Sequence, residues 1–204
     1  MIVAIKGEAM EQWEIKGHIV EYIDETHTYL VDGIILPSIT QILKIKFGNK
    51  YNNVSQDVLQ RASELGTATH KAIEDYCKLG VETDCKELRN FKFLQKQFGF
   101  DVLDNELPII LFYNNEPVAC GRLDLLLNDK VLCLGDIKRT SKLDIEYLTY
   151  QLNLYRIGFQ QCYDTEIEGL KGLHLREDVR KYVDIPINEE MALNLLKEFL
   201  QKGK

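Results

Sequence analysis

Two apolar stretches carry charged residues at positions where a buried strand would hold apolar ones. In EPVACGRLDLLLN, Asp124 interrupts the apolar run, and in VLCLGDIKRT, Asp136 and Lys138 do so. Because side chains alternate between the two faces of a strand, Asp136 and Lys138 share a face. Burying a lone carboxylate is costly unless it is paired or bound to a metal ion. The pattern therefore calls for a partner for these carboxylates, either a cationic side chain or a divalent metal ion.

The turn between the two strands decides whether the carboxylates meet. A hairpin centred on Lys130, with an odd number of loop residues, places Asp124 opposite Asp136, whereas a two-residue turn separates them by about 10 Å. In the first register, the carboxylates would form an oxygen-ligand set for Mg²⁺ or Mn²⁺ beside Lys138. In the alternative, Asp136 and Lys138 form a salt bridge on a solvated face, and Arg122 or a turn satisfies Asp124.

The elements that would position these residues can be predicted from periodicity and turn residues. Residues 1–36 are expected to form an N-terminal β-hairpin appendage, and residues 37–204 the main domain. In the main domain the pattern predicts a short helix from 38, helices over 55–79 and 84–98, a three-stranded antiparallel meander from 101, a helix over 144–163, two strands and a terminal helix. This order predicts an α/β (α+β) fold with a central mixed sheet flanked by helices.

Composition limits the class of protein. A chain of 204 residues, 45% of them hydrophobic, fits one domain with a substantial core. No apolar run approaches the roughly 18 residues of a membrane span, and the start lacks the layout of a signal peptide, so a soluble cytoplasmic protein is expected. Five cysteines without a CxxC pair fit a reducing compartment. The net charge of −7 argues against a protein that coats nucleic acid, but permits an enzyme that touches it locally through a metal ion.

Four short motifs, GTATHKAIEDY, GRLD, GDIK and QLNLY, follow one another between residues 60 and 160. In order and approximate spacing they resemble the RecB-like branch of the PD-(D/E)XK nuclease superfamily. The resemblance implies a restriction-endonuclease-like core and a stand-alone, metal-dependent DNA exonuclease of phage or bacterial recombination and repair. It further implies that the protein acts on DNA ends or single strands in the bacterial or phage-infected cytoplasm, without a membrane, and that its partners could include a recombination protein.

The resemblance also assigns catalytic and metal-binding roles. Asp124, Asp136 and Lys138 match the catalytic residues of the family. His70 and the backbone carbonyl of Ile137 join the two carboxylates as ligands of Mg²⁺ or Mn²⁺. The ion would activate water and offset charge on the phosphate, while the lysine would position water or stabilise the transition state.

A helix edge next to the metal site carries His70 and Glu74, one turn apart. Glu74 is expected to orient the His70 ring, and an ordinary partly buried histidine is the alternative. Relatives with an iron-sulfur cluster carry three cysteines after the tyrosine motif. Here Cys162 is the only cysteine beyond Tyr155, so no such cluster is expected.

Four further residues are expected to contact DNA. Gln151 and Tyr155 reproduce the Q-x-x-x-Y motif of the family on one helix edge, where an amide and a phenol can bind phosphate or stack on a base. Arg122 and Arg139 flank the site and would contact phosphates. For Tyr155, a core-facing position is the alternative.

Two other functions are compatible with the same motifs. One is a catalytically inactive PD-(D/E)XK-fold protein that serves as a DNA-binding or assembly module, which absence of Mg²⁺ or Mn²⁺ binding would favour. The other is a structure-specific endonuclease, which would cut circular as well as linear DNA.

Overall fold

The protein is described by a computed structural model covering residues 5–7, 10–50 and 52–202. The ends of the predicted appendage and of the predicted terminal helix, residues 1–4 and 203–204, lie outside the described residues, as do 8–9 and 51. The strands are β1 (Ile5–Gly7), β2 (Met10–Ile15), β3 (His18–Ile23), β4 (Thr28–Val31), β5 (Ile34–Leu36), β6 (Asp101–Tyr113), β7 (Glu116–Asp129), β8 (Val131–Lys138), β9 (Gly169–Arg176) and β10 (Val179–Asp184). The helices are α1 (Ile39–Phe47), α2 (Gln56–Leu79), α3 (Lys86–Phe98), α4 (Ile145–Tyr163) and α5 (Glu189–Lys202).

The N-terminal strands form a five-stranded antiparallel meander, β1-β2-β3-β4-β5, where the sequence predicts a single hairpin. An additional reversal at Lys16 and Gly17, with φ of 54° and 82°, pairs β2 with β3. The polar residues of β2 obscured this strand, although Trp13 and Ile15 alternate with them and are buried. These two side chains join one core cluster with residues of α1, α4 and α5, so this sheet packs against the rest of the chain rather than standing apart as an appendage.

The main sheet has the order β10-β9-β8-β7-β6, with β8 and β9 parallel and the other pairs antiparallel. Along β8, Cys133 and Ile137 pack in a cluster with α2 and α3, whereas Leu134 packs in the cluster that contains α1, α4 and α5. Because alternate side chains point to opposite faces, helices cover the sheet on both sides. The chain is therefore a mixed α+β protein. Within its described part, no helix combines the length and apolar character needed to cross a membrane.

The hairpin between β7 and β8 has the register that brings the two acidic residues together. The strands reverse at the single residue Lys130, whose φ is 63°. The ladder then runs back to Leu125, which pairs with Gly135. Asp124 and Asp136 are the next positions and lie opposite one another. Of the two registers that the sequence permits, the structure therefore has the one centred on Lys130.

Close packing explains the glycines of the GRLD and GDIK motifs. A Cβ atom on Gly121 would lie 2.9 Å from Cε1 of Tyr155, and one on Gly135 would lie 2.9 Å from Cδ1 of Leu127. Both distances are shorter than a carbon–carbon contact allows. Glycine at these two positions therefore lets α4 and the neighbouring strand approach the backbone that carries the acidic residues.

Candidate metal centre

The centre lies where the β7–β8 ladder ends. Beyond the last pair, at Leu125 and Gly135, the Ile137 N–H donates to Oδ2 of Asp124 at 2.7 Å. Strand β8 stays paired with β9 as far as Lys138. The Asp124 carboxylate thus accepts the hydrogen bond of the Ile137 N–H, which the backbone of β7 would accept if the ladder continued.

His70 reaches this point from α2, and both of its ring nitrogens have neighbours there. Its Nε2 lies 3.1 Å from the carbonyl oxygen of Ile137. Since a carbonyl only accepts, Nε2 must donate. The other nitrogen, Nδ1, lies 3.6 Å from Oδ2 of Asp124 and 3.8 Å from Oε1 of Glu106. In the neutral ring, Nδ1 therefore has the free lone pair that a metal ion requires.

Glu106 is a member of the cluster that the sequence analysis missed. It lies in β6 between Asn105, which pairs with Leu125, and Leu107, which pairs with Leu123, so it sits opposite Asp124. Its φ of 52° is unusual within a strand. A carboxylate next to the apolar run LPIILF is a signal in the sequence that could have identified this residue.

The three residues suit a divalent ion. One ligand atom from each of His70, Glu106 and Asp124 lies within 4.8 Å of the others. Ligands at about 2.1 Å from one Mg²⁺ lie about 3–4 Å apart, a range that includes both distances from Nδ1. The side chains are 15% to 30% exposed, so an ion can reach them from solvent. One imidazole and two carboxylates fit Mn²⁺ or Mg²⁺.

Strong charge interactions govern protonation in the centre. Burial raises the pKa of Asp124 to about 7; His70 opposes this shift and Asp136 adds to it. Burial lowers the pKa of His70, but Asp124 and Glu106 outweigh it, and the net pKa rises to about 9. A divalent cation bound to these ligands would therefore displace protons.

Asp136 and Lys138 form an ion pair beside this cluster. Asp136 is only 2% exposed, and Nζ of Lys138 lies 2.5 Å from its Oδ2. Burial acts to lower the pKa of Lys138, but Asp136 and Asp124 more than compensate, so its pKa is raised and it stays an ammonium group. The salt bridge considered in the sequence analysis is present, but it is buried rather than solvated. Asp136 also lies outside the group formed by His70, Glu106 and Asp124.

Glu74 makes contacts other than the one expected of it, and the Ile137 carbonyl lies against His70. Glu74 does not orient the ring, because it accepts hydrogen bonds from Lys71 at 3.3 Å and Lys78 at 3.1 Å on its own helix. The carbonyl of Ile137 contacts Nε2 of His70, and its expected role as a metal ligand stays a prediction. The carbonyl of Ile137 thus orients His70, and the N–H of Ile137 orients Asp124.

The two arginines expected to contact DNA neutralise acidic residues of the fold. Nε of Arg139 lies 2.8 Å from Oε1 of Glu87, and the arginine side chain is 11% exposed. Nε of Arg122 lies 3.3 Å from Oε2 of Glu106, and its guanidinium stacks 4.7 Å from the ring centre of Tyr22. Both arginines are therefore engaged in ion pairs within the fold, and their contact with phosphates stays a prediction.

Replacing Arg139 by Met should destabilise the fold by about 3 kcal/mol, because it leaves the buried carboxylate of Glu87 without its cation. Chemical denaturation measures this loss, and the affinity for an oligonucleotide at fixed salt should not change. The matched control is Arg89→Met, since Arg89 pairs with Asp84 on the surface and its loss should cost less than about 1 kcal/mol. Wild-type stability with weaker DNA binding in Arg139→Met would instead support the phosphate contact.

Gln151 and Tyr155 are buried in α4, each with 7% exposure. The Tyr155 ring packs against the backbone of Gly121, and burial holds the pKa of Tyr155 well above its usual value. The core-facing alternative therefore describes Tyr155. Among the described residues, Oε1 of Gln151 has no hydrogen-bond partner. Neither side chain presents a surface on which DNA could lie.

Comparisons with known proteins identify no family. No protein-family model and no curated protein matches this chain. Among solved structures, the chain is similar to "Crystal structure of SSO0001", with a TM-score of 0.44 and 14% identity over 82% of this chain and 76% of that chain.

Proposed function

We propose that this chain is a Mg²⁺- or Mn²⁺-dependent deoxyribonuclease of the PD-(D/E)XK type. The observation that carries the proposal is the convergence of His70, Glu106 and Asp124 beside the Asp136–Lys138 pair, at the point where β7 and β8 separate. A mixed sheet with helices on both faces supports a restriction-endonuclease-like core. The order of the four sequence motifs supports a RecB-like exonuclease acting on DNA ends or single strands in recombination or repair.

Each residue of the centre has a chemical role in this proposal. An ion held by His70, Glu106 and Asp124 would offset charge on the phosphate and lower the pKa of the attacking water. Lys138 is an ammonium group at the edge of the cluster, where it can donate hydrogen bonds to a phosphate oxygen and stabilise the charge that develops on it. Asp136 keeps Lys138 charged and in place, because the two form a buried ion pair.

One observation favours a second candidate, a module with the same fold that binds DNA without cutting it. The Asp136–Lys138 pair neutralises both groups without an ion. Such a pair can be purely structural. The candidates differ in whether metal ions bind and whether DNA is cleaved.

End-labelled single-stranded and duplex DNA, with circular DNA in parallel, tests the proposed function. With Mg²⁺ or Mn²⁺, we expect linear DNA to shorten from its ends, circular DNA to persist, and EDTA to stop the reaction. Asp136→Ala should remove most of the activity. No cleavage with any metal would refute the nuclease, and DNA binding under those conditions would favour the module. Cleavage of circular DNA would indicate an endonuclease.

A further inference from the structure

A cleft of about 150 Å³ opens beside the metal centre, between the segment after α1 and the first turn of α4. It is lined by Lys50, Lys138, Thr140, Asp144, Tyr147 and Leu148. Lys138 belongs both to this cleft and to the ion pair with Asp136. A molecule bound in the cleft therefore lies next to the group proposed to contact the reacting phosphate.

Cations and aromatic rings alternate along this cleft. The ring centre of Tyr147 lies 5.5 Å from Nζ of Lys50 and 6.0 Å from Nζ of Lys138. The row continues with Phe47, whose ring centre is 5.2 Å from that of Tyr147, and with Lys46, whose Nζ is 5.8 Å from the Phe47 ring. Proteins that bind single-stranded nucleic acid combine cations along the backbone with aromatic rings under the bases. The cleft presents both.

The charge of this region differs from that of the whole chain. Residues 33–56 contain three lysines and no Asp or Glu, although the chain carries a net charge of −7. The carboxylates nearby come from α4 and its N-cap. Oδ2 of Asp144 lies 2.6 Å from Nζ of Lys50, and Oε1 of Glu146 lies 3.1 Å from Nζ of Lys46. Exposed pairs of this kind contribute about 0–1 kcal/mol each, so a phosphate can replace the carboxylate at little cost.

We propose that this cleft binds the single-stranded segment next to the scissile phosphate, with one base against Tyr147 and a neighbouring phosphate on Lys50. The volume is below the roughly 300–1,000 Å³ of a pocket that encloses a whole drug-sized ligand, so the cleft takes part of one nucleotide. Stacking on Tyr147 requires a base whose face is free, which a duplex does not offer. The proposal rests on the proposed function for the position of the scissile phosphate at Lys138.

Binding in EDTA, without cleavage, tests the cleft. The probe is a fluorescein-labelled oligothymidylate, followed by anisotropy at several salt concentrations. Tyr147→Leu should weaken binding by about tenfold, whereas Tyr147→Phe keeps the ring and should change it by less than about twofold. Lys50→Gln should reduce the slope of log affinity against log salt by about 0.7, the value for one phosphate contact on a single strand. The matched control is Lys202→Gln, because Lys202 also pairs with a carboxylate, that of Glu198 at 2.7 Å, but lies on α5.

The outcomes separate the cleft from the nuclease. Absence of oligothymidylate binding by the wild type, or wild-type affinity and salt slope in Tyr147→Leu and Lys50→Gln, overturns the cleft proposal. An equal loss of oligothymidylate affinity in Tyr147→Leu and Tyr147→Phe overturns the stacking role of Tyr147. Lys50→Gln changes an exposed side chain and reports independently of any misfolding of Tyr147→Leu, which melting curves detect. A protein that binds through these residues but never cuts DNA refutes the nuclease alone; one that cuts DNA while its variants bind normally refutes the cleft alone.

Discussion

Asp124→Asn is expected to slow metal-dependent cleavage by at least about 10³-fold. Asparagine keeps an oxygen that can accept the Ile137 N–H, so the local backbone can persist. The substitution removes the carboxylate that lies 3.6 Å from Nδ1 of His70, which leaves Glu106 as the only carboxylate of the three-residue cluster. Single-turnover cleavage of a labelled oligonucleotide in Mn²⁺ measures the rate.

Metal binding should be lost together with activity. Mn²⁺ should raise the melting temperature of the wild type, because an ion that binds only the folded state stabilises it, and should not raise that of Asp124→Asn. Asp129→Asn is the matched control: the same substitution in β7, at a residue that pairs with Lys171 at 2.8 Å, should leave cleavage within about twofold of the wild type. Wild-type cleavage by Asp124→Asn would show that the centre is not where the chemistry occurs.

Local information reduced the register of the β7–β8 hairpin to two alternatives. Strand period places Asp124 opposite Asp136 only if the turn is centred on Lys130, and the observed ladder has that centre. The same local rules could not reveal that the ladder stops at Leu125 and Gly135, one pair before Asp124 and Asp136. That break depends on the Asp124 side chain replacing a backbone partner of Ile137, which is a tertiary feature.

The ion pairs of the two arginines join residues that are distant in the sequence. Arg139 lies 52 residues from its partner Glu87, and Arg122 lies 111 residues from Glu11, with which it also pairs. An arginine near a predicted active site resembles a phosphate contact until the fold supplies an acidic neighbour. Glu106 lies five residues into β6, which begins at Asp101, and only the register of β6 against β7 places it opposite Asp124.

Lys138→Met is expected to slow cleavage by about 10²–10³-fold while Mn²⁺ binding persists. Lys138 is not a member of the cluster formed by His70, Glu106 and Asp124, so the ion keeps its ligands. The ammonium group next to that cluster is lost, and with it the stabilisation of charge on the phosphate. Rates are measured under single turnover, and Mn²⁺ affinity by titration calorimetry.

A second substitution separates this catalytic role from a structural one. Lys138→Met leaves the buried carboxylate of Asp136 unpaired and should destabilise the fold by about 3–5 kcal/mol. Adding Asp136→Asn removes that charge, so the double variant should recover much of the stability and none of the activity. Lys171→Met is the matched control, because Lys171 also pairs with a carboxylate within the sheet, that of Asp129, and should lose stability but not catalysis. A wild-type rate in the stable double variant would mean that Lys138 only neutralises Asp136, and would remove it from the mechanism.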